Sequence, residues 1–244
     1  MLILVSGEGP TDMGQCCGES PTGDAAFTPG PMAWLVDQIA EASEGYSFLA
    51  LELMCCVSEQ TLSRRSKELR PPSLPGRKRG KETAYYFRNA RALAVTAGEL
   101  AATSSQSVVA VLFRDSDGTQ SAGRGDWQAK WGSMIKGFDY EHFATGVPMI
   151  PKPKSEAWLL CALKTAQPYQ HCEALEFESG NDNAPRSLKA QLTEALNERP
   201  NAAGLAELVR SGTVDASQIE MPSFSAFKVR LEGCLRPLQN DVSL

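Results

Sequence analysis

Long apolar runs are absent from this 244-residue chain. None approaches the roughly 18–20 apolar residues that a membrane-spanning helix needs. The short run at residues 1–5 has no basic flank, so it reads as a strand and not as a signal peptide. Histidine is nearly absent: His142 and His171 stand alone, and neither is a ligand candidate. No Cys-x-x-Cys occurs among the seven cysteines. Cys16 and Cys17 are adjacent, as are Cys55 and Cys56, and the count is odd. That pattern is neither a disulfide framework nor a zinc site, and reads as reduced thiols in a cytoplasm. A nucleotide-binding P-loop is missing too. Residues 76–83 only mimic one, with the wrong glycine spacing and Glu82 where Ser or Thr belongs.

What is present is an ordinary apolar content of 42% and an uneven charge. The length suits one large domain, or one domain with an insertion. Residues 64–91 hold ten Lys/Arg and two acids, a net +8, so the rest of this −5 chain carries −13. A basic stretch on an acidic body binds phosphates while the body supplies carboxylates. Within that stretch Arg64, Arg65, Arg77, Lys78, Arg79 and Lys81 are the nucleic-acid-binding candidates. The neighbouring Tyr85, Tyr86 and Phe87 read as core more than as stacking platforms, and Trp127, Trp131 and Trp158 as packing residues.

Hydrophobic periodicity predicts strands at residues 2–5, 48–57, 108–113 and 147–150. It predicts helices at 32–42, 82–102, 127–136 and 156–163, then at 188–196, 203–209 and 224–235. Residues 13–31, 70–76 and 119–126 read as loops, and Asp126 as a helix cap. The alternation of strands and helices implies an α/β fold with a mostly parallel sheet flanked by helices, followed by a helical C-terminal portion. The organisation expected is a catalytic core over 1–165, with a basic loop and helix insertion at about 60–92, and residues 166–244 packed on it.

In such a sheet ligands gather at the carboxyl ends of the strands. Glu8 and Asp12 follow the first predicted strand. Asp115 and Asp117 follow the third, and Lys154 and Glu156 the last. Carboxylates facing one another repel and need a cation between them. Oxygen-rich sets of this kind select Mg²⁺ or Mn²⁺.

The pairing of a strand ending in Glu-Gly-Pro-Thr-Asp (8–12) with one ending in Asp-Ser-Asp (115–117) resembles the Toprim domain. That Rossmann-like domain occurs in topoisomerases, bacterial primases, recombination mediators and the overcoming-lysogenization-defect nucleases. The stretch at 147–160, with Pro-Lys-Pro-Lys-Ser-Glu-Ala-Trp, is similar to a Toprim-like family encoded beside ATPases in bacterial defence loci. The resemblance covers residues 1–165 and, weakly, 223–227. It implies that Glu8 is a metal ligand or general acid/base, that Asp115 and Asp117 bind the catalytic Mg²⁺ or Mn²⁺, and that Asp12 binds a second ion. Glu156 is a further ligand candidate, and Lys154 a group to neutralise the scissile phosphate. The chain is too short for a topoisomerase and lacks primase accessory regions, which leaves a metal-dependent nuclease acting on DNA, with RNA the second choice. The same resemblance implies an effector subunit of an anti-phage system with an ATPase partner, without a membrane, and with a homo-oligomer open. Two other readings stay open. Asp-Ser-Asp-Gly-Thr (115–119) also matches the first motif of haloacid-dehalogenase-like phosphatases, with Asp115 as nucleophile and Asp117 as acid/base. The fold also suits a non-catalytic, metal-stabilised interaction subunit.

Overall fold

The computed structural model describes residues 1–16, 27–69, 81–116, 127–163 and 172–236. Four parallel strands form the central sheet: β1 (Leu2–Gly7), β4 (Met54–Cys56), β5 (Val108–Phe113) and β6 (Gly146–Met149), in the order β4-β1-β5-β6. A two-residue antiparallel pair, β2 (Gly14–Gln15) with β3 (Thr28–Pro29), lies between β1 and the first helix. The helices are α1 (Pro31–Glu44), α2 (Glu59–Glu68), α3 (Lys81–Ser104), α4 (Trp127–Tyr140), α5 (Ser155–Leu163), α6 (Leu188–Leu196), α7 (Ala202–Arg210) and α8 (Pro222–Leu235), with 3-10 turns at Cys172–Phe177 and Ala216–Gln218.

Alternation along β5 sorts the core into two layers. Val109, Val111 and Phe113 face one apolar cluster, shared with α1, α5 and the C-terminal helices. Val108, Ala110 and Leu112 face the other, shared with α3 and α4. Each strand is therefore buried on both sides, which is why β5 is apolar at every position. The connection from β1 to β4 runs over the first face through α1, and the return to β5 runs over the second through α2 and α3. The strand order thus reverses between β1 and β5. Their carboxyl ends flank the crevice where doubly wound sheets bind ligands.

Helix α1 forms where its sequence predicts. Pro31 occupies the first turn, Met32, Leu35, Val36, Ile39 and Ala40 are buried, and Gly45 closes the helix at φ 83° with its N–H on the Glu41 carbonyl. The predicted strand at 48–57 shrinks to Met54–Cys56. The preceding residues form a turn because the buried Asp37 carboxylate on α1 accepts the Leu49 N–H (3.0 Å) and the Ser47 hydroxyl (2.7 Å). Phe48 is buried in that turn, so its apolar character reports core and not strand. Residues 70–76, residues 119–126 and the Asp126 cap lie outside the described residues, as does most of 13–31.

The C-terminal helices share the first core layer. Gln38 of α1 donates to the carbonyls of Val209 (2.6 Å) and Val214 (3.0 Å) and accepts from the Ala216 N–H (2.8 Å). Trp158 of α5 stacks on Phe227 (5.8 Å between centroids) and meets Phe224 edge-on (5.0 Å), and its indole N–H donates to Ser223 (3.0 Å). Burying such a ring against partners contributes several kcal/mol, roughly 3–5 judged by truncation to alanine. Tyr86 and Phe87 are buried, and Trp127 stacks on Trp131 at 5.1 Å.

Against the expectation of unpaired thiols, Cys16 lies against Cys56 and Cys161 against Cys172, at Cα–Cα separations of 5.2 and 5.4 Å, a spacing that a disulfide can span. Neither partnership shows in spacing, because the fold brings distant cysteines together. Cys55 and Cys234 are free. No helix among the described residues is long and apolar enough to cross a membrane.

Candidate active site

The carboxyl end of β1 is built for close approach. A Cβ on Gly7 would lie 2.8 Å from Cβ of Phe113, the last residue of the neighbouring strand, so β1 and β5 can end side by side only with glycine there. Gly9, at φ 75°, then turns the chain. Glu8 is left at the strand end. Asp12 is fixed by its own backbone, its carbonyl accepting the Met32 N–H (3.0 Å) at the start of α1.

On the other side of the crevice, the β5–β6 ladder continues beyond the strands. Arg114 N–H donates to the Met149 carbonyl (3.0 Å) and Ser116 N–H to the Pro151 carbonyl (3.1 Å), and the Ser116 hydroxyl reaches the Pro153 carbonyl (3.2 Å). The buried Lys130 ammonium also donates to the Ser116 carbonyl, and Tyr86 donates to that of Asp115 (2.9 Å). These bonds fix the backbone that carries Asp115.

Ser155, the first residue of α5, links both sides. Its N–H donates to Asp115 Oδ1 (2.9 Å) and its hydroxyl to Asp12 Oδ1 (2.6 Å). The orphan N–H of a helix N-terminus is thus satisfied by the Asp115 carboxylate. Glu156 follows in the same first turn. Its side chain is 13% exposed, and its Oε2 is buried without a hydrogen-bond partner.

The electrostatics follow from this crowding. Burial raises the Asp115 carboxyl well above its ordinary range, and the neighbouring Asp12, Glu156 and Glu8 push it further. The Ser155 N–H only partly offsets them. Burial raises Asp12 as well, against relief from the Ser155 and Thr11 hydroxyls. Glu156 is raised by burial and by Asp12. No Lys or Arg among the described residues forms an ion pair with Asp12 or Asp115.

Glu8 differs. Burial raises it too, but the Arg114 guanidinium lies 2.9 Å from its Oε2 and pulls in the opposite sense. Arg114 also reaches Glu59 (3.4 Å) and lies 3.7 Å above the Tyr85 ring, whose hydroxyl donates to Glu59. Glu59 is in place because Ser58 caps α2, its side chain accepting the Thr61 N–H.

Lys154 is held by the Asp182 carboxylate (2.8 Å), and Lys189 of α6 by the other oxygen of the same carboxylate (2.8 Å). Lys189 also lies 4.0 Å from Glu156 Oε1. In the basic stretch, Arg65 pairs with Glu99 and Thr96 of α3, and Arg64 is exposed on α2. Lys81 opens α3, while Arg77, Lys78 and Arg79 lie outside the described residues.

Glu8, Asp12, Asp115 and Glu156 thus gather at one edge of the sheet, whereas Asp117 and His171 fall outside the described residues. Among the described residues no three His, Cys, Asp or Glu side chains stand arranged to hold one ion. The donor set nonetheless suits a hard cation. It is all oxygen, its members repel one another, and one buried oxygen lacks a partner. Sequence reading missed Ser155, Arg114, Glu59, Asp182 and Lys189. Arg114, adjacent to Asp115, and Ser155, between Lys154 and Glu156, carried a local signal; the others did not. No protein-family model, curated protein or solved structure matches the chain.

Proposed function

We propose that this chain is a Mg²⁺- or Mn²⁺-dependent phosphodiesterase of the Toprim type, a nuclease cutting DNA in preference to RNA. The observation that carries the reading is the buried, mutually repelling trio of Asp12, Asp115 and Glu156 beside Glu8, at the crevice between β1 and β5, with a Glu156 oxygen unpartnered. Such an arrangement is costly without a cation.

Asp115 and Asp12 would be the core ligands, with Asp117 two residues beyond Asp115 in sequence; Glu8 and Glu156 would complete the set. When bound, one or two ions supply charge neutralisation and a water activated for attack on phosphorus. Ser155 orients two of the carboxylates at once, through its N–H and its hydroxyl. Arg114 keeps Glu8 aimed at the crevice. Lys154 neutralises the phosphate, and the basic residues among 64–81 steer the polynucleotide. Service as the effector of an anti-phage system, with an ATPase partner, remains an analogy from the motif resemblance.

The test is cleavage of plasmid and oligonucleotide DNA with Mn²⁺ or Mg²⁺, comparing the unaltered protein with Glu8→Ala and Asp115→Ala. Metal-dependent cutting lost in both variants supports the reading. Turnover of small phosphomonoesters through a covalent intermediate on Asp115 would replace it with the phosphatase. Biological activity that survives Asp115→Ala in a folded protein would replace it with the interaction subunit.

A further inference from the structure

The Asp182 carboxylate bridges two ammonium groups, with Oδ1 on Lys154 and Oδ2 on Lys189, each at 2.8 Å. The geometry is that of an oxyanion held by two lysines. The seat lies directly beside the carboxylate site. Lys154 immediately precedes Ser155, Lys189 lies 4.0 Å from Glu156, and both lysines act electrostatically on Asp12. Next to it, Glu156 Oε2 is buried and unpartnered.

Two features mark Asp182 as a replaceable occupant. It sits between the Cys172–Phe177 turn and α6, in a stretch without regular structure, and its side chain is 45% exposed. Exposed pairs of this kind are weak individually, whereas a phosphodiester brings a full charge and two non-bridging oxygens to the same two donors.

We propose that Lys154 and Lys189 form a phosphate-binding seat for the polynucleotide backbone, and that Asp182 is an internal placeholder which the substrate phosphate displaces. This rests on reading the adjacent carboxylates as a phosphodiester site. It assigns a substrate contact to α6, beyond the predicted catalytic core. It also gives the C-terminal portion a part in substrate selection: an anion must compete with Asp182 before it reaches the carboxylates.

The experiment is fluorescence anisotropy of a labelled single-stranded oligonucleotide in EDTA, so that binding is read without cleavage. Lys154→Gln, Lys189→Gln, Asp182→Asn and Asp182→Ser are compared with Arg210→Gln. Arg210 lies on α7 and, among the described residues, pairs with Glu207 of its own helix alone, so this variant controls for loss of one positive charge. Each seat lysine variant should weaken binding at least about threefold more than the control and lower the salt slope of log K by about 1. Both Asp182 variants should tighten binding severalfold. The seat is overturned if Lys189→Gln matches Arg210→Gln, or if the Asp182 variants bind no better than the unaltered protein. Metal-dependent cleavage is scored separately on the same proteins. Binding shifts without any cleavage would leave the seat standing and sink the nuclease reading. Cleavage without the binding shifts would do the reverse.

Discussion

Two groups of carboxylates at the crevice hold their charges differently. Glu8, after β1, shares the guanidinium of Arg114, after β5, with Glu59, and Arg114 is further sheltered by Tyr85. Asp12, Asp115 and Glu156, gathered around the start of α5, repel one another, with hydrogen bonds from Ser155 to the two aspartates but no ion pair to either among the described residues. The first arrangement is complete within the protein. The second has its unfavourable charge built in and gains from anything positive that enters. A site that binds a cation has reason to keep that strain, because stability and function trade against each other there.

The largest effect should come from removing the link between the two aspartates. Ser155→Ala keeps the N–H to Asp115 but loses the hydroxyl to Asp12, and should lower metal affinity and cleavage roughly 10–100-fold, as loss of an orienting hydrogen bond does. Mn²⁺ titration followed by calorimetry checks it, and an unchanged affinity would break the comparison. Next, Arg114→Gln leaves Glu8 and Glu59 without their shared cation. It should destabilise the protein by about 1–2 kcal/mol in urea, the full cost of an unpaired charge being reduced by partial exposure. Asp115→Asn should act in the opposite direction. In EDTA it removes a repelled, buried charge while keeping an acceptor for the Ser155 N–H, and should stabilise by about 1 kcal/mol. In the same variant the rise in Tm produced by Mn²⁺ should disappear. Opposite signs from neighbouring residues would be hard to obtain from general damage to the fold.

The smallest effect is on the pH dependence of stability. Glu8, Asp12, Asp115 and Glu156 all have folded-state values raised above their ordinary ones. The folded state therefore holds protons that the unfolded state releases. Its advantage is present at acid pH and is lost as pH rises from the ordinary carboxylate range through the raised values. Metal-free Tm should fall over that interval, Asp115→Asn should flatten the fall, and saturating Mg²⁺ should reverse it, since cation binding displaces the protons. A metal-free Tm that climbs with pH in the same window would contradict the charge arrangement.

Much of this arrangement could be read before any coordinates. The β5 segment is apolar at six consecutive positions and ends in a charged run, so its limits and the place of Asp115 were plain. Glu8 was legible because a glycine turn has no use for a carboxylate. Helices α1, α3, α5 and α6 followed from periodicity to within a few residues, the error expected from frayed ends. What escaped was non-local. Arg114 acquires its meaning from Glu59 and Tyr85 on other elements, and Ser155 from Asp12, far away in sequence. Cys16 and Cys161 show no partner until the chain folds. The overlong strand at 48–57 arose because burial alone does not distinguish a turn capped by Asp37 from an extended segment.

The place of β1 in the sheet carries a consequence for synthesis of the chain. It is central, paired in parallel with β4 and with β5, where Leu2 stands opposite Val108 and Ile3 opposite Met54. Its two neighbours are therefore translated about fifty and about one hundred residues after it. At roughly 5–20 residues per second, a strand of Leu, Ile and Val waits on the order of 5–20 s for its second flank. Until then the β5 half of the crevice does not exist, and the edge of β1 that will face β5 is open to other chains. The carboxylate edge is thus assembled late, after Asp115 and the start of α5 have been synthesised.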